Sequence, residues 1–226
     1  MTEQASKLMK EHYDFKDLVA LMALLRSEEG CPWDRAQTHE SIRKNLIEEC
    51  YEAIEGIDRK DDELLCEELG DILLQVVFHA QIAQDEGAFT MERVIDGICR
   101  KMVRRHPHIF SDENYSEEFK AESAYFRWEQ IKRAEKDETD LESSLERVAR
   151  TLPSLMRSQK LIKKAVQAGR QTGGERTDKE ELRKRYEALC LDAEASGVDL
   201  EELGYRFNED FIRSKATEGK KTDENR

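Results

Sequence analysis

Two short acidic segments carry the residue types that a hydrolytic metal site needs. Glu49 and Glu52 are three residues apart in the first segment. Glu68 and Asp71 have the same spacing in the second. Residues three apart share one face of an α-helix, so each segment presents a pair of carboxylates to one side. Four carboxylates on two facing helices would form an oxygen-only site that suits Mg²⁺, with Mn²⁺ as the alternative.

The surrounding residues bear on whether these acids bind a metal or form an ordinary polar surface. The first pair lies on a predicted helix at 39–59, where the solvated face of an amphipathic helix also explains the acids. The second pair lies on a predicted helix at 62–86 that is apolar nearly all round, so an unpartnered carboxylate there is costly. Lys or Arg partners would also compensate, but the preceding helix supplies further acids. A divalent cation therefore explains both segments.

Other metal centres fit the sequence less well. No Cys or His stands at a spacing typical of zinc ligands. None of the five histidines follows a glutamate by three residues, as the di-iron helical bundles require. The five cysteines show no CxxC spacing, which favours reduced thiols and a cytoplasmic location.

A group of basic residues near position 100 has the charge that a polyphosphate would need. Arg100, Lys101, Arg104 and Arg105 cover roughly 140° of a predicted helix at 90–106. Solvated basic residues would look the same, but beside a Mg²⁺ site they would complete the charge balance of a triphosphate. The chain has no glycine-rich phosphate-binding loop. Hydrolysis would therefore depend on metal-activated water that attacks phosphorus.

Composition and periodicity limit the class of protein. The chain has 226 residues and a net charge of −13, which argues against nucleic acid or an anionic membrane as the main partner. No apolar run approaches the ~20 residues of a membrane span. The sequence predicts an all-α helical bundle rather than a protein with strands. The predicted helices lie at roughly 14–27, 39–59, 62–86, 90–106, 117–137 and 141–168.

Seven segments occur in the order found in one known family. EECYE at 48–52 and EELGD at 67–71 match an EExxE…ExxD signature. The others are GCPWDRAQTHESI (30–42), GDILLQVVFHAQIAQDEGAF (70–89), KMVRRHPHIF (101–110), RWEQIK (127–132) and LPSLMRSQKL (152–161). Over about residues 15–165 the chain resembles the MazG nucleoside triphosphate pyrophosphohydrolases, which belong to the all-α NTP pyrophosphohydrolase superfamily.

This resemblance implies an all-α bundle that assembles as a homodimer or higher homo-oligomer. It also implies Mg²⁺-dependent hydrolysis of nucleoside triphosphates to NMP and diphosphate, which would remove canonical or damaged nucleotides from the pool. The implied metal ligands are Glu49, Glu52, Glu68 and Asp71. Glu48, the first acid of the signature, would orient or deprotonate the attacking water.

The resemblance also suggests residues that contact the nucleotide. Lys101, Arg104 and Arg105 would meet the triphosphate. Trp128 and Lys132 of RWEQIK would contact the nucleotide as well. Trp33 would either stack on the base or pin its loop to the core.

The second half departs from long members of this family, which carry two tandem bundles. AGRQTGG at 168–174 lacks the Gly-Phe-Asp-Trp segment that opens their second bundle, and Tyr205 stands where EELGD has its Asp. We therefore expect a catalytic bundle at 1–112, charged linker helices at 113–168 that complete the site or the oligomer, and a degenerate, partly disordered remnant of a second bundle at 169–226. The alternative is a catalytically weak nucleotide-binding or regulatory helical module.

Overall fold

The protein is helical in every ordered element of the computed structural model, which describes residues 3–111, 121–135, 141–170 and 173–223. Within these ranges there is no strand, so the predicted all-α fold is confirmed. The chain divides into two compact units, Met1–Ser116 and Glu117–Arg226. No helix in the described ranges combines the length and the apolar character needed to cross a lipid bilayer.

The first unit is organised around one long helix, α5. Its helices are α1 (Glu3–Leu8), α2 (Phe15–Leu25), α3 (Pro32–Ala36), α4 (Arg43–Arg59), α5 (Asp62–Asp85), α6 (Met91–Arg105) and α7 (Pro107–Phe110). Val77, Phe78 and Ile82 of α5 form the centre of the core, and they pack with Met22 of α2 and Met91 of α6. The apolar periodicity that predicts these helices therefore also places the core on the second half of α5.

Helix α4 begins at Arg43, four residues later than the predicted start at 39. The preceding residues form a turn that side chains stabilise. The backbone N–H of Thr38 donates to Ser41 Oγ at 2.9 Å, and the backbone N–H of Ser41 donates to Thr38 Oγ1 at 3.3 Å. Hydroxyl side chains that bond to nearby backbone in this way compete with helix formation, which explains the later start.

The second unit contains five helices in its described part. They are α8 (Ala121–Ala134), α9 (Leu141–Glu146), α10 (Ser154–Gln167), α11 (Lys179–Ser196) and α12 (Leu200–Asp223). A core of Leu145, Val148, Leu161 and Ile212 joins the α9 region to α10 and α12. Residues 136–140, which precede α9, lie outside the described residues, as do residues 117–120 at the predicted start of α8.

The predicted continuous helix at 141–168 is wrong, because the chain breaks between Glu146 and Ser154. Pro153 lies just before α10, and proline disfavours the helical conformation in the residue before it. The break allows α9 and α10 to pack on each other and on α12. The expected division at 168/169 therefore runs between helices that the second unit contains together.

The end of the chain is more helical than its composition predicts. Helix α12 continues to Asp223, through the polar residues 214–223 that the sequence suggests are loose. Helix α11 begins at Lys179, after Asp178 accepts a hydrogen bond from the backbone N–H of Glu181 at 2.8 Å. A helix N-cap of this kind stabilises the first turn. The prediction that 169–226 is partly disordered is therefore wrong for α11 and α12.

Candidate metal centre on α4 and α5

A tight turn sets the two acidic segments opposite each other. Helix α4 ends at Lys60, which adopts a left-handed conformation with φ of 55°, and α5 starts directly after Asp61. The Asp61 side chain accepts a hydrogen bond from the backbone N–H of Leu64 at 3.1 Å and so caps α5. A Cβ atom at Gly56 would lie 3.0 Å from the backbone nitrogen of Leu65. Glycine at this position therefore lets the two helices approach closely enough for their acids to meet.

Three carboxylates converge across this pair of helices. Glu49 of α4 and Glu68 and Asp71 of α5 each offer one oxygen, and these oxygens all lie within 4.8 Å of one another. Glu68 is buried, whereas Glu49 and Asp71 are half-buried. We call this group the acid cluster. Its oxygen-only composition matches the ligands that Mg²⁺ and Mn²⁺ prefer.

Glu52, the fourth predicted ligand, lies at the margin of the acid cluster. It is exposed and does not belong to the group of three within 4.8 Å. Its carboxylate is nevertheless close enough to Glu49 and Glu68 to raise the pKa of both. The structure thus brings three of the four predicted ligands together and places the fourth beside them.

The electrostatics of the acid cluster oppose its ionised form. Burial raises the pKa of Glu49 above its ordinary value of 4.5, and the negative charges of Asp71, Glu52 and Glu68 add to this. Burial likewise raises the pKa of Glu68, followed by the charges of Glu52, Asp71 and Glu67. Both effects disfavour a buried negative charge. A cation bound among these oxygens would reverse both of them.

No basic side chain supplies that cation in the described part of the chain. Among the described residues, neither Glu68 nor its neighbours in the acid cluster form an ion pair, and Glu68 Oε2 is buried without a hydrogen-bond partner. The basic residues of α4 pair elsewhere: Lys44 with Glu48 at 3.3 Å, and Arg59 with Glu55. An orphaned, buried carboxylate oxygen fits a site that accepts a divalent ion.

Glu48 does not join the acid cluster. Its side chain is 53% exposed and its carboxylate pairs with Lys44 one turn earlier on the same helix. Successive residues on a helix point about 100° apart, so Glu48 and Glu49 face different directions. The role in orienting water that the resemblance implies for Glu48 stays a prediction.

The predicted phosphate-binding residues on α6 differ in their exposure. Arg104 is exposed and Lys101 is half-buried. Arg105, which the helical projection places with the basic face, is only 9% exposed. Arg100 pairs with Asp96 at 2.7 Å on the same helix. Lys101 and Arg104 therefore remain the accessible cations of this group.

The two tryptophans lie in different units. Trp33 on α3 is 62% exposed, so it does not pin its loop to the core and is available for stacking. Trp128 on α8 belongs to the second unit, where its ring stacks on Tyr125 with centroids 6.2 Å apart. Lys132 Nζ lies 4.7 Å from the Trp128 ring and 3.0 Å from Glu129 Oε1. In the structure, Trp128 and Lys132 thus contact each other and residues of their own helix.

Two polar residues continue the stripe of the acid cluster along α5. Gln75 is 6% exposed, and its Oε1 is buried without a hydrogen-bond partner in the described residues. One turn later, His79 Nδ1 lies 2.8 Å from His39 Nδ1. Burial lowers the pKa of His79, and the charge of His39 lowers it further. The helical spacing of residues 68, 71, 75 and 79 is the sequence signal for this stripe, but it does not reveal which of them lack partners.

Comparisons with known proteins agree with this geometry. Residues 37–110, which include the whole acid cluster, match the MazG nucleotide pyrophosphohydrolase domain. The chain is 49% identical over 156 residues to the nucleoside triphosphate pyrophosphohydrolase/pyrophosphatase MazG of Thermotoga maritima, covering 69% of this chain and 58% of that protein. It is 44% identical over 156 residues to the nucleoside triphosphate pyrophosphohydrolase of Escherichia coli, covering 67% and 57%. The chain belongs to the MazG family.

The extent of the matches separates the two units. The chain spans somewhat more than half the length of the Thermotoga maritima and Escherichia coli relatives. A 26.1 kDa protein of Streptomyces cacaoi, described as uncharacterized, matches over a longer stretch: 37% identity over 187 residues, or 82% of this chain and 74% of that protein. Similarity to this last relative therefore extends beyond the region that contains the acid cluster.

Proposed function

We propose that the first unit is a Mg²⁺-dependent nucleoside triphosphate pyrophosphohydrolase that releases NMP and diphosphate. The observation that carries this proposal is the acid cluster, in which Glu49, Glu68 and Asp71 meet with a buried, unpartnered oxygen on Glu68. The names of the Thermotoga maritima and Escherichia coli relatives point to the same reaction. We expect the substrate to be a nucleotide of the cellular pool.

The residues of the acid cluster would hold the metal, with Glu52 at its margin as a fourth ligand or a proton acceptor. A bound Mg²⁺ would polarise the phosphate and favour ionisation of a nearby water. Lys101 and Arg104 would balance the charge of the triphosphate, because guanidinium and ammonium groups bind phosphate oxygens strongly. Mn²⁺ would satisfy the same oxygen ligands.

The test is release of diphosphate from a panel of nucleoside triphosphates, with and without Mg²⁺. We expect metal-dependent turnover that Asp71→Ala and Glu52→Ala abolish. Glu55→Ala is the matched control, because Glu55 lies on α4 but pairs with Arg59 instead of joining the acid cluster. Equal turnover in the wild type, Asp71→Ala and Glu52→Ala under every condition would refute the proposal and favour a regulatory module.

We also propose that the protein forms a homodimer or higher oligomer through the first unit. Ile47, Ile54 and Ile57 of α4 are each about half exposed, as are Leu69 and Leu73 of α5. Such a group of exposed apolar side chains on neighbouring helices is typical of an interaction surface. Light scattering should give at least twice the mass of one chain, and Ile54→Glu should shift the protein toward monomer. A monomeric wild type at micromolar concentration would contradict this proposal.

A further inference from the structure

Arg157 on α10 is a fully buried guanidinium with one unsatisfied edge. Its side chain is 1% exposed. Nη1 donates to Glu209 Oε1 at 2.7 Å, and the guanidinium carbon lies 5.9 Å from the centre of the Tyr205 ring. Nε and Nη2 have no hydrogen-bond partner within the described ranges. Buried donors without acceptors are costly, and more so on a charged group, so this edge requires an acceptor.

The unsatisfied edge has the shape that binds an oxyanion. The Nε–H and Nη2–H bonds of an arginine point in the same direction, and two oxygens of one anion can accept both of them. Glu209 engages the opposite side of the guanidinium through Nη1. The one described ion pair of Arg157 therefore leaves its bidentate edge available for a ligand.

This guanidinium lines a cavity between the α9 region, α10 and α12. The cavity has a volume of about 430 Å³. Its other lining residues are Glu146, Arg150, Glu209, Ile212 and Arg213. Arg213 also pairs with Asp210 at 2.8 Å, and both side chains are more than 70% exposed. The exposed Arg150 is therefore the second cation that a ligand of Arg157 would meet.

We propose that this cavity binds a phosphate group, held through two oxygens by Arg157 and through a third by Arg150. A phosphate suits the pair of arginines better than a carboxylate does, because both carboxylate oxygens would be used on the Arg157 edge. The volume leaves room for a substituent, so the ligand is either free phosphate or a phosphate monoester. All the residues concerned belong to the second unit, so this site is independent of the acid cluster and of the reaction proposed for it.

The direct test is calorimetric titration of the metal-free, full-length chain with inorganic phosphate at constant ionic strength. We expect saturable binding at one site. Arg150→Ala should weaken it roughly tenfold, the loss expected for one charge-assisted hydrogen bond. Arg147→Ala is the matched control, because Arg147 is exposed nearby but does not line the cavity. Lys101→Ala should also leave the affinity unchanged, which separates this site from the basic residues of α6.

A second measurement avoids substitution of the buried arginine, which would risk unfolding. In ¹⁵N NMR spectra of the wild type, the Arg157 Nε–H signal should move with phosphate and saturate at the calorimetric affinity. Methyl phosphate that binds as well as phosphate would identify a monoester ligand, and weaker binding would identify the free ion. The proposal is overturned if phosphate does not saturate, if Arg147→Ala weakens binding as much as Arg150→Ala, if the Nε–H signal stays fixed, or if acetate binds equally well.

Discussion

The sequence Glu-Glu-Leu-Gly occurs in both units, and its acids have different environments in the two. In α5, Glu68 is buried without a basic partner, and Asp71 follows three residues later in the acid cluster. In α12 the matching acid, Glu202, is exposed and pairs with Arg206. Tyr205 occupies the position that corresponds to Asp71, and its ring lies near the guanidinium of Arg157. The same four residues thus belong to a metal-type site in one unit and to a surface ion pair in the other.

The first glutamate of the motif shows the same contrast. Glu201 of α12 accepts hydrogen bonds from the backbone N–H of Ser154 at 2.6 Å and from Ser154 Oγ at 2.7 Å. Glu67 of α5 is exposed and contributes its negative charge to the environment of Glu68. The comparison shows that the motif alone does not make a metal site. A second acidic helix must face it, and basic partners must be absent from its surroundings.

The largest expected difference between the two regions is in catalysis. Asp71→Asn should reduce Mg²⁺-dependent turnover at least about a hundredfold, because it removes a charged ligand from the acid cluster. Glu202→Gln, at a corresponding motif position in the second unit, should leave turnover unchanged. Steady-state release of diphosphate measures both. Equal losses in the two variants would mean that the second unit takes part in the reaction.

Packing at the motif glycine should distinguish the regions next. A Cβ atom at Gly204 would lie 2.4 Å from Ser154 Oγ and 2.8 Å from Ser154 Cβ. We therefore expect Gly204→Ala to destabilise the second unit by about 1–3 kcal/mol, the usual cost of overpacking. Urea unfolding followed by a probe in the second unit would measure this. An unchanged unfolding midpoint would show that α10 and α12 separate easily.

The repulsion in the acid cluster should appear as a pH-dependent stability. The folded state raises the pKa of Glu49 and Glu68 above 4.5, so between 4.5 and the raised values it binds protons that the unfolded chain releases. The contribution of these groups to the free energy of unfolding should therefore increase as the pH falls from neutral toward 4.5. Thermal melts without metal should show this increase, and Mg²⁺ should reduce it.

The variant Glu68→Gln gives a control for that pH dependence. It should raise the melting temperature of the metal-free protein at neutral pH, because an amide carries no charge into the buried site. It should also remove most of the stabilisation by Mg²⁺. A lower melting temperature would instead indicate that the Glu68 carboxylate has a favourable partner in the folded protein.

The smallest expected effect is at the glycine of the first motif. No atom lies within 4 Å of a Cβ built at Gly70, in contrast to Gly204. Gly70→Ala should therefore stabilise α5 by roughly 0.5–1 kcal/mol, the difference in helix propensity between the two residues. Chemical unfolding of the monomer is the appropriate measurement. Destabilisation that grows with protein concentration would show that a second chain approaches this glycine.

Much of the first unit could be predicted because its information is local. The spacing of apolar residues predicts α4, α5 and α6 to within a few residues, and the i, i+3 spacing brings Glu68 and Asp71 to one face. Turn length then sets α4 against α5. These features depend on residues that are close together in the sequence.

Other features depend on contacts that the sequence does not reveal. The burial of Arg105 and of Arg157 follows from how α6 and α10 pack, and an exposed basic residue has the same helical spacing. The break before Ser154 was missed because apolar periodicity on both sides of Pro153 outweighed the proline in the interpretation. Pairing choices, such as that of Glu48 with Lys44, also depend on side-chain conformation.

The turn at Lys60 and Asp61 has a consequence for how the acid cluster arises. Its carboxylates lie on two consecutive helices joined by this single turn, so the loop that must close to assemble them is short and costs little chain entropy. The hairpin can therefore organise its ligands during an early, local step of folding. An inserted residue in α5 between the turn and Glu68 would rotate the following side chains by about 100° and carry Glu68 and Asp71 away from Glu49.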